Sequence, residues 1–180
     1  MKIGIYGKLR SGKSEVCNLY EGMLDDSIIL DFGDSLKECV KVAYPFLDYK
    51  TKNRELLIKF GQTLREMDKN IWVNALKYKV LNCTKKNIIV TGIRQQNEYD
   101  MLKELGFVFV KIESDIEKRI ERCKQQKDQF EESSLFDSTE TELDKFEYDF
   151  LIENTRTLKD LSIDALNVLD EIKYLEDYND

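Results

Sequence analysis

The chain has 180 residues, 35% of them charged, with a net charge of −7 and no histidine. That length suits one domain with a real core, expected to span residues 1–180. The acidic balance argues against a protein built to hold DNA or RNA, and the missing histidine removes imidazole acid–base chemistry and most zinc sites.

Lys2-Ile3-Gly4-Ile5-Tyr6 is a short apolar run suited to a buried parallel strand. Gly7-Lys8-Leu9-Arg10-Ser11-Gly12-Lys13-Ser14 follows and satisfies G-x-x-x-x-G-K-[ST]. Val16, Leu19 and Tyr20 then fall on one face of a helix. Strand, glycine loop and helix give the motif its mechanism. The loop curls so that backbone N–H groups meet phosphate oxygens, and the helix adds its positive end. Lys13 is expected at the β- and γ-phosphates of a nucleotide and Ser14 on Mg²⁺.

Ser27–Asp31 reads as a second buried strand, ending in an acid. In an open α/β sheet, ligands bind beyond the carboxyl ends of the strands, so Asp31 and Asp34 share an edge with the loop. Either could polarise an acceptor or hold a metal-bound water. Asp34 could equally cap the next helix, whose stripe is Leu36, Val40 and Ala43 and which Pro45 ends. After a polar loop from Asp48 to Asn53, Leu56, Leu57, Phe60 and Leu64 mark a helix closing on Gly61-Gln62-Thr63-Leu64-Arg65. Asp68 is expected to cap a further helix carrying Trp72, Val73, Leu76 and Val80.

Asn87–Thr91 is the third strand. It ends Thr91-Gly92-Ile93-Arg94, without the acid that NTP-driven motors place there, which favours transfer of a phosphoryl group to a second substrate. Arg94 can meet a phosphate at that strand end, with Glu98 four residues on as a partner; a plain surface ion pair reads the same residues. Tyr99, Met101, Leu102 and Leu105 make a helix closed by Gly106, and Phe107–Ile112 is the fourth strand. The helix from Asp115 to about Lys127 has thin apolar content, only Ile116, Ile120 and Cys123. It is expected to bury little and to move. With the acidic stretch Gln129–Asp144 it reads as a lid over about 115–145, with Arg119 and Arg122 neutralising the transferred group; a solvated helix with ion pairs explains the same charges. Tyr148–Ile152 is the fifth strand, and Thr157 can cap a last helix striped by Leu158, Leu161, Ala165, Leu166, Leu169 and Ile172.

Strands alternating with helices predict a three-layer α/β fold with a five-stranded parallel sheet, and right-handed crossovers restrict its topology. The order 2-3-1-4-5 is what the glycine loop's resemblance to the P-loop kinases implies, and it would put the first strand at the centre with the loop at its end. No apolar run reaches the ~18 residues of a membrane span, and no signal-peptide pattern opens the chain. Four scattered cysteines without a C-x-x-C pair read as reduced thiols in a cytoplasmic protein.

These residues together resemble the bacteriophage-type deoxynucleoside monophosphate kinases, in the P-loop nucleoside monophosphate kinase group near dephospho-CoA kinase. The resemblance spans nearly the whole chain. It rests on Gly7–Ser14, on Phe32-Gly33-Asp34-Ser35-Leu36-Lys37, on Gly61 to Arg65 with Asp68 and Ile71-Trp72-Val73, and on Val90–Glu98. Ser138-Thr139-Glu140, Asp149 and Asn154 complete it. It implies ATP and Mg²⁺ as cofactors, with Gly7, Arg10, Ser11, Gly12, Lys13, Ser14, Glu15 and Asn154 at ATP, Asn154 against the adenine, and Ser14 at the metal. It implies Asp34, Lys37, Arg65, Trp72, Arg94 and Glu98 around the monophosphate, in a helical region of about 34–82. Lys13, Asp31, Arg94, Arg119 and Arg122 would be catalytic. The implied reaction is in-line phosphorylation of a deoxynucleoside 5′-monophosphate, with small-molecule partners, no nucleic acid and no membrane. Relatives add the expectation of a homodimer, and a phage-encoded chain would work in its host's cytoplasm. Two departures stand out. Gly92 occupies the family's Asp position, which shifts weight to Asp31 or Asp34, and the family's His near Thr139-Glu140 is missing. A dephospho-CoA kinase-like hydroxyl transfer, with Asp31 as base, and a non-catalytic ATP-binding module are the alternatives.

Overall fold

A computed structural model describes residues 1–47, 54–125 and 142–178. The loop Asp48–Asn53, Lys127, most of the acidic stretch and Ser138-Thr139-Glu140 lie outside the described residues.

The chain runs β1 (Lys2–Tyr6), α1 (Lys13–Met23), β2 (Ser27–Asp31), α2 (Phe32–Ala43), α3 (Arg54–Met67), α4 (Ile71–Leu81) and β3 (Asn87–Thr91). It continues with α5 (Gln96–Glu104), β4 (Val108–Glu113), α6 (Ile116–Gln125), a 3₁₀ turn (Leu143–Lys145), β5 (Phe150–Glu153) and α7 (Leu158–Asp177). The five strands form one parallel sheet in the order β2-β3-β1-β4-β5, as expected.

Strand alternation sorts side chains to two faces. Ile3, Ile5, Ile89, Val110 and Ile112 pack with Val16, Cys17 and Tyr20 of α1 and with Leu161, Ala165, Leu169 and Ile172 of α7. Tyr6, Ile88, Val90 and Phe109 face the other way, onto Val73, Leu76 and Val80 of α4 and Tyr99, Met101 and Leu102 of α5. The interiors of the central strands, Ile3 to Tyr6 of β1 and Ile88 to Val90 of β3, therefore run without a charged residue because both faces are covered. Phe109 passes so close to β1 that a Cβ on Gly4 would lie 3.1 Å from its ring.

Two boundaries and the anchoring of α6 differ from expectation. β5 starts at Phe150, not Tyr148: Asp149 joins β4 just before it, its N–H donating to the Phe109 carbonyl at 2.9 Å while its carboxylate, not its main chain, takes Phe109 N–H at 2.7 Å. α4 is entered through Asn70, while Asp68, two residues earlier, accepts from Asn70 N–H at 2.9 Å. α6 is not loosely held. Its Arg119 and Cys123 are buried, and Arg122 bonds three neighbouring segments, so arginines supply the anchoring that the thin apolar stripe cannot.

Candidate active site

An all-parallel sheet delivers every strand's carboxyl end to one edge. The loop Gly7–Ser14, Asp31, Gly92, Ser114 and Asn154 follow β1 to β5 in turn and so share it.

Gly12 closes the loop in a left-handed conformation, φ +108, a region that favours glycine. A Cβ there would run into the Asn154 amide. Gly7 is equally confined, since a Cβ would strike the Ile112 carbonyl and lie 2.8 Å from Ser11 Oγ. Lys13 Nζ donates to the Gly7 and Lys8 carbonyls, both at 2.8 Å, which holds the ammonium over the loop. No side chain caps the start of α1, leaving its first-turn N–H groups available to an anion, and Ser14 and Glu15 are exposed on that turn. Ser11 Oγ is fully buried and makes no hydrogen bond among the described residues. A confined glycine cradle, an orphaned hydroxyl, an uncapped helix start and a lysine suit a nucleotide polyphosphate with its metal ion.

The loop is braced from behind. Asn154, 4% exposed, donates from Nδ2 to the Ser11 carbonyl at 2.8 Å. Arg122 donates to the Arg10 carbonyl at 3.1 Å, to Asn154 Oδ1 at 3.1 Å and to Ser114 Oγ at 3.1 Å. Arg119 reaches the Leu9 carbonyl at 3.5 Å. Both arginines expected to face the transferred group thus lie against the loop's backbone, and Asn154 lies under the loop. Arg10 sits at φ +63, strained for a side chain, inside this brace. Ser114 was not singled out from the sequence; a lone serine after a strand carries no signal there. Lys8 pairs with Asp144 at 2.7 Å across a small cavity of about 80 Å³ that Arg119 and Lys111 also line.

Asp31 and Asp34 share a capping box. Gly33 N–H donates to Asp31 Oδ1 at 2.7 Å, and Asp31 N–H donates to Asp34 Oδ2 at 3.1 Å. Capping and a place on the active edge are therefore compatible. Lys37 donates to Asp34 Oδ1 at 3.1 Å and stands 3.7 Å from Asp31 Oδ1. Cys17 of α1 is buried. Burial pushes its thiol up to about 11, against a Thr91 hydrogen bond and the Lys13 ammonium, with Asp31 adding to the rise.

Glu98 is 2% exposed. It pairs with backbone rather than with the Arg94 guanidinium: Arg94 N–H donates to Oε2 at 2.7 Å and Gln95 N–H at 3.1 Å. Burial raises its proton affinity, offset in part by those two bonds and by the nearby Arg65 and Arg94 charges. Arg65 and Arg94 thus both stand near one buried carboxylate, with Arg94 exposed beyond the β3 end. Trp72 is buried, and its indole N–H donates to the Gly61 carbonyl at 3.2 Å, locking α4 to the helix that carries Arg65.

A family model described as an AAA domain matches residues 3–143. The chain belongs to that AAA-domain family. No curated protein matches the sequence. Among solved structures, this AAA-family domain is similar to shikimate kinase from Acinetobacter baumannii in complex with shikimate, at 18% identity, covering 96% of this chain and 93% of that one, with a TM-score of 0.62. Shikimate kinase from Aquifex aeolicus matches at 19% identity over 97% and 99% of the two chains, TM-score 0.58. A gluconokinase from Sinorhizobium meliloti matches at 20% over 97% and 96%, TM-score 0.57. At such identities the likeness establishes the fold, that of the P-loop kinases. None of the helices among the described residues is long and apolar enough to cross a membrane.

Proposed function

We propose that the protein is an ATP-dependent kinase that phosphorylates a deoxynucleoside 5′-monophosphate. The single observation that supports the acceptor assignment is that two arginines, Arg65 on α3 and Arg94 just beyond the β3 end, both act by their charge on buried Glu98, whose carboxylate holds the Arg94 main chain. Two guanidinium groups suit an acceptor that is itself a phosphate.

Bound ATP with Mg²⁺ supplies the phosphoryl group and neutralises part of its charge. The chain's own residues do the rest. The loop N–H groups and Lys13 hold the donor phosphates, and Ser14 and Asp31 serve the metal's surroundings. Arg65 and Arg94 hold the acceptor, Glu98 fixing the backbone at Arg94. Asn154, Arg119 and Arg122 keep the loop in shape. A monophosphate is largely ionised near neutral pH, so no base is required and the absence of histidine is no handicap. Catalysis is then positioning plus charge neutralisation.

One observation favours a second reading. The structural neighbours carry the names of kinases for shikimate and gluconate, which are hydroxyl acceptors, and Asp31 would serve such an acceptor as base.

ADP release from ATP and Mg²⁺ decides the matter, measured with each dNMP, with AMP, GMP and UMP, with dephospho-CoA, and with shikimate and gluconate. Lys13→Ala is the control. Turnover confined to one or a few dNMPs is expected. Turnover only with a hydroxyl acceptor would move the assignment to the second reading. ATP binding without turnover on any acceptor would leave a nucleotide-binding module.

A further inference from the structure

Gly92 ends β3 in a left-handed conformation, φ +77. A Cβ built on it would lie 2.7 Å from Asp31 Oδ2, 2.9 Å from its Cγ and 3.0 Å from its Oδ1. The nearest neighbours of the missing side chain are thus the atoms of one carboxylate. Strand register accounts for the approach: Asp31 pairs with Thr91 in the parallel ladder, one residue before Gly92. The carboxylate is also fixed in place, since Oδ1 accepts from Gly33 N–H and Asp31 N–H donates to Asp34.

We propose that Asp31 and Gly92 are a coupled pair: the glycine leaves the side-chain space at the end of β3 empty, and Asp31 fills it from β2 as the strand-edge carboxylate of the nucleotide–metal site. The pair rests on the ATP reading above. One carboxylate fits the space and two do not, because both overlap and like charge oppose the second. Gly92 is a positioning residue, acting through Asp31. A purely capping role for Asp31 makes a different prediction, since Asn caps a helix as well as Asp but carries no charge.

The test is calorimetric ATP binding with and without Mg²⁺, alongside thermal unfolding. It compares the unmodified protein with Asp31→Asn, Gly92→Ala and the exchange variant Asp31→Gly/Gly92→Asp. Asp is among the side chains that tolerate a positive φ, so the exchange can fold. Asp31→Asn and Gly92→Ala should each lose about tenfold or more of the Mg²⁺ enhancement of ATP affinity, as loss of a metal-shell partner does. Metal-free ATP affinity and the Asp31→Asn melting midpoint should stay near those of the unmodified protein. The exchange variant should recover most of the enhancement. Full enhancement in Asp31→Asn overturns the metal role, and full enhancement in Gly92→Ala overturns the coupling. A folded exchange variant without recovery also overturns the coupling. No ATP binding by the unmodified protein would sink the ATP reading and this pair together, whereas ATP binding with unaltered Mg²⁺ dependence in the variants would sink the pair alone.

Discussion

Glu98 holds a carboxylate where water barely reaches, and its work is to fix the main chain at Arg94. Burial outweighs the two N–H bonds and the neighbouring arginines, so its folded-state pKa lies above the ordinary glutamate value. The folded form therefore favours the protonated acid. That contribution is fully present below the unfolded pKa and is lost as pH rises through the folded one. Glu98→Gln, which keeps an acceptor for both N–H groups, should gain on the unmodified protein between about pH 4, near the ordinary value, and about pH 7. Urea unfolding at the two pH values reads the difference; a gap that does not change with pH would contradict the assignment. Asn154 has a similar bracing task, with both ends of its amide in use. Asn154→Ala leaves the Ser11 carbonyl and an Arg122 N–H without their partner and should cost about 1–3 kcal/mol of stability. Chemical denaturation checks this, and an unchanged midpoint at unchanged slope would show the brace to be slack.

Helix ends here follow local chemistry where a side chain can reach back. Thr157 caps α7, accepting from Asp160 N–H at 3.2 Å, while Asp160 Oδ2 accepts from Thr157 N–H at 3.1 Å. Thr157→Ala should destabilise the protein by about 1 kcal/mol, and Thr157→Ser by much less. Equal losses in thermal melts of the two variants would mean that the hydroxyl is not the cause. α6 carries the opposite lesson. Its arginines read as lid residues facing the transferred group, or as a solvated face, yet Arg119 is buried and Arg122 reaches across to Arg10, 112 residues earlier in the chain. Guanidinium groups anchor a helix by donating to carbonyls, a bond that apolar periodicity does not register.

The whole fold separates its thiols by exposure. Cys17 lies under α1 with its thiol pushed up to about 11, Cys123 is buried on α6, and Cys39 is exposed on α2. Iodoacetamide near pH 8, around the ordinary cysteine value, should label Cys39 first and reach Cys17 and Cys123 only when the fold opens. Peptide mapping of the labelled protein reads the order, and early labelling of Cys17 would contradict the packing of α1 on the sheet. The succession of strands and helices along the chain and the glycine loop were legible in the amino-acid pattern alone, because alternation, helical stripes and backbone-shaping residues act over a few neighbours, whereas the order of the strands in the sheet came with the resemblance to the P-loop kinases. The bases on which Arg119, Arg122, Asn154 and Glu98 were singled out, charge and family spacing, located them but not their contacts. Arg122 bonds the loop's main chain and Asn154, Glu98 bonds main chain at Arg94, and Asp31 occupies the side-chain space of Gly92. Those contacts arise only when parallel strands bring separate turns to one edge in one register. No local pattern encodes a distance between residues that meet through the packing of the whole sheet.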